Sequence, residues 1–238
     1  MNSGGTPWTD LDITVVEQRD PRLGRQKVHD ERSRRFAASL TVDRSTWRTK
    51  MVRIVDPLPN PKQTVGNCTG CQKAMAFNAV GNRKAGTVHQ MEFADKVYSW
   101  ASANDPWQGA YPPDDTGSSG LAACKAAQTL GVGGEYRWLF GGADEVVQAI
   151  MAGETVGCGT WWYQGMFERS LLKSGRYAIE PTGTKVGGHQ YTARGYDAKN
   201  DLVIIRCWWG TYRDVGIKRQ HLNDLLMDGG DANVQVHA

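Results

Sequence analysis

No run in this sequence approaches the roughly 18 uninterrupted apolar residues that a membrane-spanning helix needs. The start, Met1-Asn-Ser-Gly-Gly-Thr-Pro-Trp8, also lacks a basic segment followed by an apolar one. Neither membrane insertion nor export on a cleaved signal is expected, which points to the cytoplasm. Cysteine is scarce: Cys68, Cys71, Cys124, Cys158 and Cys207 are odd in number and irregularly spaced, a poor framework for disulfides. Reduced thiols are expected instead. An excess of one charge is missing too, since 28 Lys+Arg face 25 Asp+Glu in 238 residues. With 40% apolar and 22% charged residues, disorder and collagen-like sequence are excluded. Residues 1–54 hold 11 Lys+Arg against 7 Asp+Glu, but the two signs are interspersed. Nucleic acid is therefore not the expected partner. No internal repeat is visible.

What is present suits a compact enzyme of one or two domains. Residues 1–54 have few periodic apolar positions and read as an N-terminal arm, wrapped on a domain or resembling a pro-segment. Pro57, Pro59, Pro61 and Gly66 then mark a loop. The domain proper is expected over 55–238. Helix formers follow from Thr69, with Cys71, Ala74 and Phe77 on one face, and further helices are expected over 90–103, 121–130 and 144–151. Ser118 or Ser119 is placed to cap the third, and Gly153 to end the fourth. Beyond that the period changes. Segments 156–163, 188–196, 202–209 and 215–218 are short, rich in β-branched and aromatic residues and separated by turn residues, so they read as antiparallel strands. The fold class expected is α+β with two lobes, helical over about 55–152 and β-barrel-like over about 153–238.

Three places could carry chemistry. In Gln63-Thr-Val-Gly66-Asn67-Cys68-Thr-Gly-Cys71 a polar loop delivers a cysteine to a helix start. There the unpaired N–H groups and the helix dipole favour thiolate. Gln63 could offer its NH₂ to an oxyanion together with the Cys68 N–H. The bland alternative is that Cys68 and Cys71 are small buried hydrophobes. In Gly187-Gly188-His189-Gln-Tyr191 two glycines leave room beside a histidine. In Cys207-Trp208-Trp209-Gly210 adjacent tryptophans at a strand end must point to opposite faces. A Cys-x-x-Cys can also signal redox or zinc chemistry. A Pro-rich loop rather than a strand precedes this one, and no second close-spaced Cys/His pair exists, so no metal or cofactor is expected.

In order and spacing these three motifs resemble the papain-like cysteine peptidases, above all the compact bacterial and phage-encoded members. Those typically show Gln-Gly-x-x-Gly-Ser-Cys-Thr-Gly, Gly-Gly-His-Glu and Asn-Ser-Trp-Gly. The resemblance extends through Tyr111–Gly120, Leu225–Asp231 and the arm segment Asp20-Pro-Arg-Leu-Gly-Arg25. It implies a helical lobe bearing the nucleophile, a β lobe bearing the histidine and a peptide bound between them. Cys68 would attack as thiolate with His189 as its ion-pair partner. Gln63 would belong to the oxyanion hole, Trp209 would shield the site, and Gly66, Asn67 and Gly188 would contact substrate. Trp161, Trp162, Tyr163 and Met166 are further candidates for lining the cleft.

This sequence departs from the family at three points. The Asn that orients the histidine aligns with Cys207, and a thiol is a weak acceptor. Gln63 stands one residue closer to Cys68 than usual, with Lys62 at the usual spacing. Cys71 offers a rival register, in which Val65, without a donor side chain, would hold the oxyanion position; Cys68 is preferred for that reason. The expected function is peptide-bond hydrolysis on a peptide or protein substrate. The alternative is a weakened relative serving as a peptide-binding or structural component, with phage virion proteins as partners and a virion-associated location.

Overall fold

A computed structural model describes residues 20–56, 61–210 and 212–238, without the side chains of Tyr212 and Arg213. The arm before Asp20 and the Pro57–Asn60 stretch of the proline loop lie outside the described residues. Five α-helices are present: α1 (Cys68–Phe77), α2 (Met91–Asn104), α3 (Gly120–Thr129), α4 (Gly142–Ala152) and α5 (Arg219–Met227). The strands are β1 (Lys50–Met51), β2 (Gly133–Trp138), β3 (Val156–Tyr163), β4 (Ser170–Leu171), β5 (Tyr177–Ile179), β6 (Lys185–Asp197), β7 (Leu202–Trp209), β8 (Tyr212–Lys218) and β9 (Asp231–His237). They form one sheet in the order β2-β9-β3-β6-β7-β8-β5-β4, with β1 paired to β6. All pairings are antiparallel except β5 with β8.

The helices form where side-chain pattern and caps agree. In α2 the residues at i, i+3, i+4 and i+7, Ala94, Val97, Tyr98 and Ala101, are buried. Ser119 Oγ accepts the Ala122 N–H at 3.1 Å and starts α3, and Gly153, at φ 96°, ends α4. α1 departs from the one-sided pattern expected of it, because all ten of its residues are buried. It lies between α2 and α3 on one side and β6, β7 and β9 on the other, so its polar positions Thr69, Gln72 and Lys73 face protein rather than water.

The sheet carries the main core. Val156, Cys158 and Trp162 of β3, Tyr191 and Ala193 of β6, and Val203, Ile205, Cys207 and Trp209 of β7 pack together. Every residue of β7 is buried, as in a strand covered on both faces. α4, grouped by sequence with the helical half, packs Val146, Val147 and Ile150 into this sheet core. By packing, the helical lobe is α1 to α3. Trp208 lies among Val52, Ile54, Cys71 and Met75, while Trp209 faces the sheet core. Residues 37–56 of the arm are part of the same body. Ala38 bonds to Trp138, Leu40 to the Glu145 carboxylate, and β1 extends the sheet beside Tyr196 and Gly195.

Candidate active site

Cys68 is the first residue of α1, and its side chain is fully enclosed. The Gln190 N–H, next along β6 from His189, donates to Cys68 Sγ at 3.4 Å. His189 sits opposite Thr160 of β3. Its ring is clamped between Trp162, edge-on at 4.9 Å, and Trp209, tilted at 4.6 Å. Cys207 Sγ lies 3.3 Å from His189 Nε2. Gln63 reaches the same place despite its short spacing, since its backbone N–H bonds to Trp208 and Lys62 bridges to Trp209. The Trp209 indole N–H donates to Gln63 Oε1 at 3.2 Å. That fixes the amide with Nε2 donating to the carbonyls of Val65, at 3.0 Å, and Pro21, at 2.9 Å. Three segments far apart in sequence, with Gln63 and Cys68, His189, and Cys207 and Trp209, thus share one crevice.

Pro21 belongs to the arm, and the arm fills that crevice. The Arg25 N–H donates to Gly188 of β6 at 3.1 Å, and the Gln26 N–H to Ser118 beside α3 at 2.9 Å. Ser118 donates in turn to Gly24 at 2.8 Å. The strap is therefore stitched to both lobes. Its fit is tight: a Cβ on Gly24 would lie 1.7 Å from the Gly66 carbonyl oxygen, and one on Gly188 would lie 2.4 Å from that of Arg25. Leu23 packs against Gly187. The room left by Gly187 and Gly188 is occupied by the protein's own chain. Arg22 closes the crevice at the other end, paired with Asp20 and with its guanidinium 3.9 Å above the Phe167 ring and 5.5 Å from that of Trp209.

The sequence matches no known family profile and no curated protein. Solved structures do match. Xylellain, a cysteine protease from Xylella fastidiosa, superposes with a TM-score of 0.69 at 15% identity, over 94% of this chain and 100% of that one. Procathepsin L2 of Tenebrio molitor matches at 0.56 and 12% identity, over 91% and 79%. A protein described as a C39-like peptidase from Bacillus anthracis matches at 0.51 and 17%, over 80% and 98%. The fold is that of the papain-like cysteine proteases.

In this papain-like fold burial dominates the electrostatics of the site, and the strap adds smaller opposing contributions. Burial pushes the Cys68 thiol up to about 11, against the N–H groups of Gln190 and Gly24 and the charge of Arg25, which favour thiolate. Burial also holds His189 down to about 3, although the Arg22 backbone and Asp20 favour its protonated form. Burial thus favours the neutral form of both groups while the strap is in place. Burial likewise raises the Cys207 thiol well above its ordinary value, helped by Cys68 and Asp214. His189 thus faces an S–H and not a charge.

The remaining sequence candidates fall around the crevice. The Gly66 N–H is held by the Asp115 carboxylate at 3.0 and 2.9 Å, and Tyr98 OH donates to the same carboxylate at 2.6 Å. Asn67, expected at the substrate, is as buried as Cys68 and His189; its side chain donates to Asp95 of α2 at 2.5 Å and accepts from Cys71 Sγ at 3.4 Å, which ties the start of α1 to α2. Trp162 and Met166 lie in the core under the site. All five cysteines are free and buried. Among the described residues no group of three or more His, Cys, Asp or Glu could hold a metal ion, and no helix is long and apolar enough to cross a membrane. Sequence reasoning did not single out Gly24 and Arg25 of the strap or Asp231 beneath it. The only signal was that both segments belong to stretches shared with the family.

Proposed function

We propose that this chain is a cysteine peptidase with Cys68 as nucleophile and His189 as its proton partner, held latent by the strap at residues 20–26. The observation that carries this reading is the convergence of Cys68 at a helix start, His189 between two tryptophans and Gln63 on Trp209, in a fold shared with cysteine proteases. Departure of the strap lifts the burial that keeps both groups neutral. A proton then passes from the thiol to the imidazole, and the helix N-terminus favours the thiolate. The thiolate attacks the peptide carbonyl, and Gln63 Nε2, released from Pro21, donates to the oxyanion. Imidazolium protonates the leaving amine. Water, deprotonated by the now neutral ring, hydrolyses the thioester and regenerates the thiol.

Cys207, beside His189 Nε2, favours a second reading in which the fold binds peptides but turns them over poorly. Mass spectrometry of the intact protein, with and without an irreversible thiol-directed peptide inhibitor, separates the two when combined with peptide-library cleavage. Adduct on Cys68 and cleavage abolished by Cys68→Ala and by His189→Ala support the peptidase. Binding without cleavage by any accessible form supports the second reading, and adduct on Cys71 moves the nucleophile to the rival register.

A further inference from the structure

The side chain of Arg25 is 3% exposed and that of Asp231, at the start of β9, is 2% exposed; their closest N–O distance is 3.5 Å. Three further features show a pocket built around this pair. Gly159 of β3 contributes no side chain, and a Cβ there would lie 2.2 Å from Arg25 Nε and 2.5 Å from both Asp231 Oδ1 and Gln190 Oε1. Asp231 Oδ1 and both amide atoms of Gln190 are buried without a hydrogen-bond partner, which leaves polar capacity facing the guanidinium. Gln190 is also the residue whose N–H touches Cys68 Sγ, and the Arg25 N–H bonds to Gly188, two residues before it. The pocket therefore opens directly beside the thiol.

Removing Arg25 would leave a carboxylate enclosed in protein with His29 Nδ1, at 3.4 Å, as its remaining neighbour. Burial pushes Asp231 up, but Arg25 and His29 outweigh it and keep the group below the usual carboxylate range. A buried charge deprived of its partner is costly. Any occupant of the emptied pocket that restores a cation recovers that cost, and an apolar or acidic one does not.

We propose that the Asp231 pocket is a substrate subsite selective for a basic side chain, arginine before lysine, which Arg25 of the strap fills in the latent protein. The inference rests on the peptidase reading and adds the class of peptide that it would accept. Arginine suits the site because the guanidinium of Arg25 sets its charge beside Asp231 while Nη1 donates to the Gln26 carbonyl at 3.0 Å and Nη2 to that of Gly229 at 3.5 Å, a spread of donors that a point-charge ammonium lacks.

Two measurements test the pocket without relying on turnover. In the full chain, Arg25→Gln removes the charge and keeps much of the shape. Iodoacetamide labelling of Cys68 should then accelerate at least tenfold, and Arg25→Lys should accelerate it less. Equal labelling of Arg25→Gln and the unsubstituted chain overturns the proposal. The second uses the full chain carrying Gly24→Leu to displace the strap and Cys68→Ala to prevent chemistry. Fluorescent hexapeptides with arginine, citrulline, norleucine or glutamate scanned along the sequence are titrated against it. At one position arginine should bind at least tenfold more tightly than its neutral isostere citrulline, about 1.4 kcal/mol, and Asp231→Asn should reduce the ratio below threefold. Equal affinity for arginine and citrulline at every position overturns the subsite, whatever the folding of Asp231→Asn. Failure of the peptidase reading looks different: arginine selectivity in binding, with no cleavage when Cys68 is present.

Discussion

In the proposed peptidase the residue that would most directly limit the chemistry is Cys207. Its thiol, kept protonated by burial, stands 3.3 Å from His189 Nε2, where an amide oxygen would accept a hydrogen bond from the ring N–H and hold the imidazolium. Sulfur accepts hydrogen bonds weakly, so ring orientation falls to Trp162 and Trp209. A hydrogen bond to a charged partner contributes about 1.5–3 kcal/mol, and each 1.4 kcal/mol at the transition state is about tenfold in rate. Cys207→Asn in a strap-displaced chain should therefore raise kcat by about tenfold or more and leave KM nearly unchanged, as read from steady-state cleavage of a fluorogenic peptide. An unchanged or lower kcat in a folded variant means that packing already fixes the ring. Gln63 makes the complementary case. Its Nε2 now donates to Pro21, and Trp209 holds the amide in that orientation. Gln63→Ala should lower kcat by about 10²–10³ if the freed N–H group serves the oxyanion. These side chains were legible in the sequence because each sits in a short local motif whose backbone context, a helix start or a strand end, is set by its immediate neighbours.

In the proposed peptidase the strap is the element that would decide whether those residues act. A side chain on Gly24 cannot coexist with the Gly66 carbonyl, so Gly24→Leu should drive the strap out of the crevice. Cys68 labelling at neutral pH should then rise by orders of magnitude, with the far-ultraviolet circular dichroism preserved because residues 37–56 remain in the sheet. Protons act on the same equilibrium. His189 is held down to about 3 with the strap in place, so as the pH falls toward 3 an open form with a freely titrating pair gains protons before the closed form does, and closure weakens. Asp231, held below the usual carboxylate range against its burial by Arg25 and His29, loses that pairing in the same direction. Cys68, pushed up to about 11, adds the mirror effect: as the pH rises toward 11 the open form loses protons first. Labelling of Cys68, corrected for its intrinsic thiolate dependence on pH, should be slowest at intermediate pH and rise toward both acid and alkaline pH; a flat corrected profile would show that the strap does not sense these groups. None of this could be read from the arm's sequence. Asp20-Pro-Arg-Leu-Gly-Arg25 has no periodicity, and its path is set by two lobes that exist only after folding. Other elements were hidden for local reasons. β2 opens on Gly133 and Gly134, which bring no side-chain pattern to its start. β9 carries a short alternation of Ala232 and Val234 with Asn233 and Gln235 directly after Gly229-Gly230, and its first five residues are buried on both faces, so its buried polar positions have no place in an inside-outside pattern.

At the scale of the whole molecule, the interface between helical lobe and sheet joins an apolar part around Trp208 to a polar one behind α1. α1 sends Lys73, fully buried, toward β9, where Nζ donates to Asn233 Oδ1 at 2.8 Å and contacts Cys124 Sγ of α3 at 2.9 Å. One side chain thus joins two helices and the sheet directly behind the helix that carries Cys68. From sequence, Lys73 reads as the solvent face of a helix, because a lysine is enclosed only when tertiary partners complete its donors. The geometry gives a sign for its removal. Lys73→Met keeps the volume of the stem but leaves buried Asn233 Oδ1 with only the weak Cys124 thiol donor at 3.7 Å, a loss of about 1–3 kcal/mol in unfolding free energy. Relief from burying an amine opposes that loss and keeps it toward the lower end of the range. Asn233→Leu alone should destabilise more, since it strands Lys73 Nζ and also loses the Asn233 Nδ2 bond to Gly157 at 3.4 Å. In the double substitution neither partner is stranded, so its destabilisation should fall short of the sum of the two by about 0.5 kcal/mol or more, the coupling expected of groups in direct contact. Urea denaturation of the four proteins followed by tryptophan fluorescence measures all of these terms. Strict additivity would mean that Lys73 and Asn233 are stabilised separately. The lobes would then be held together by the strap and the packing of Trp208, with no polar tie behind the catalytic helix.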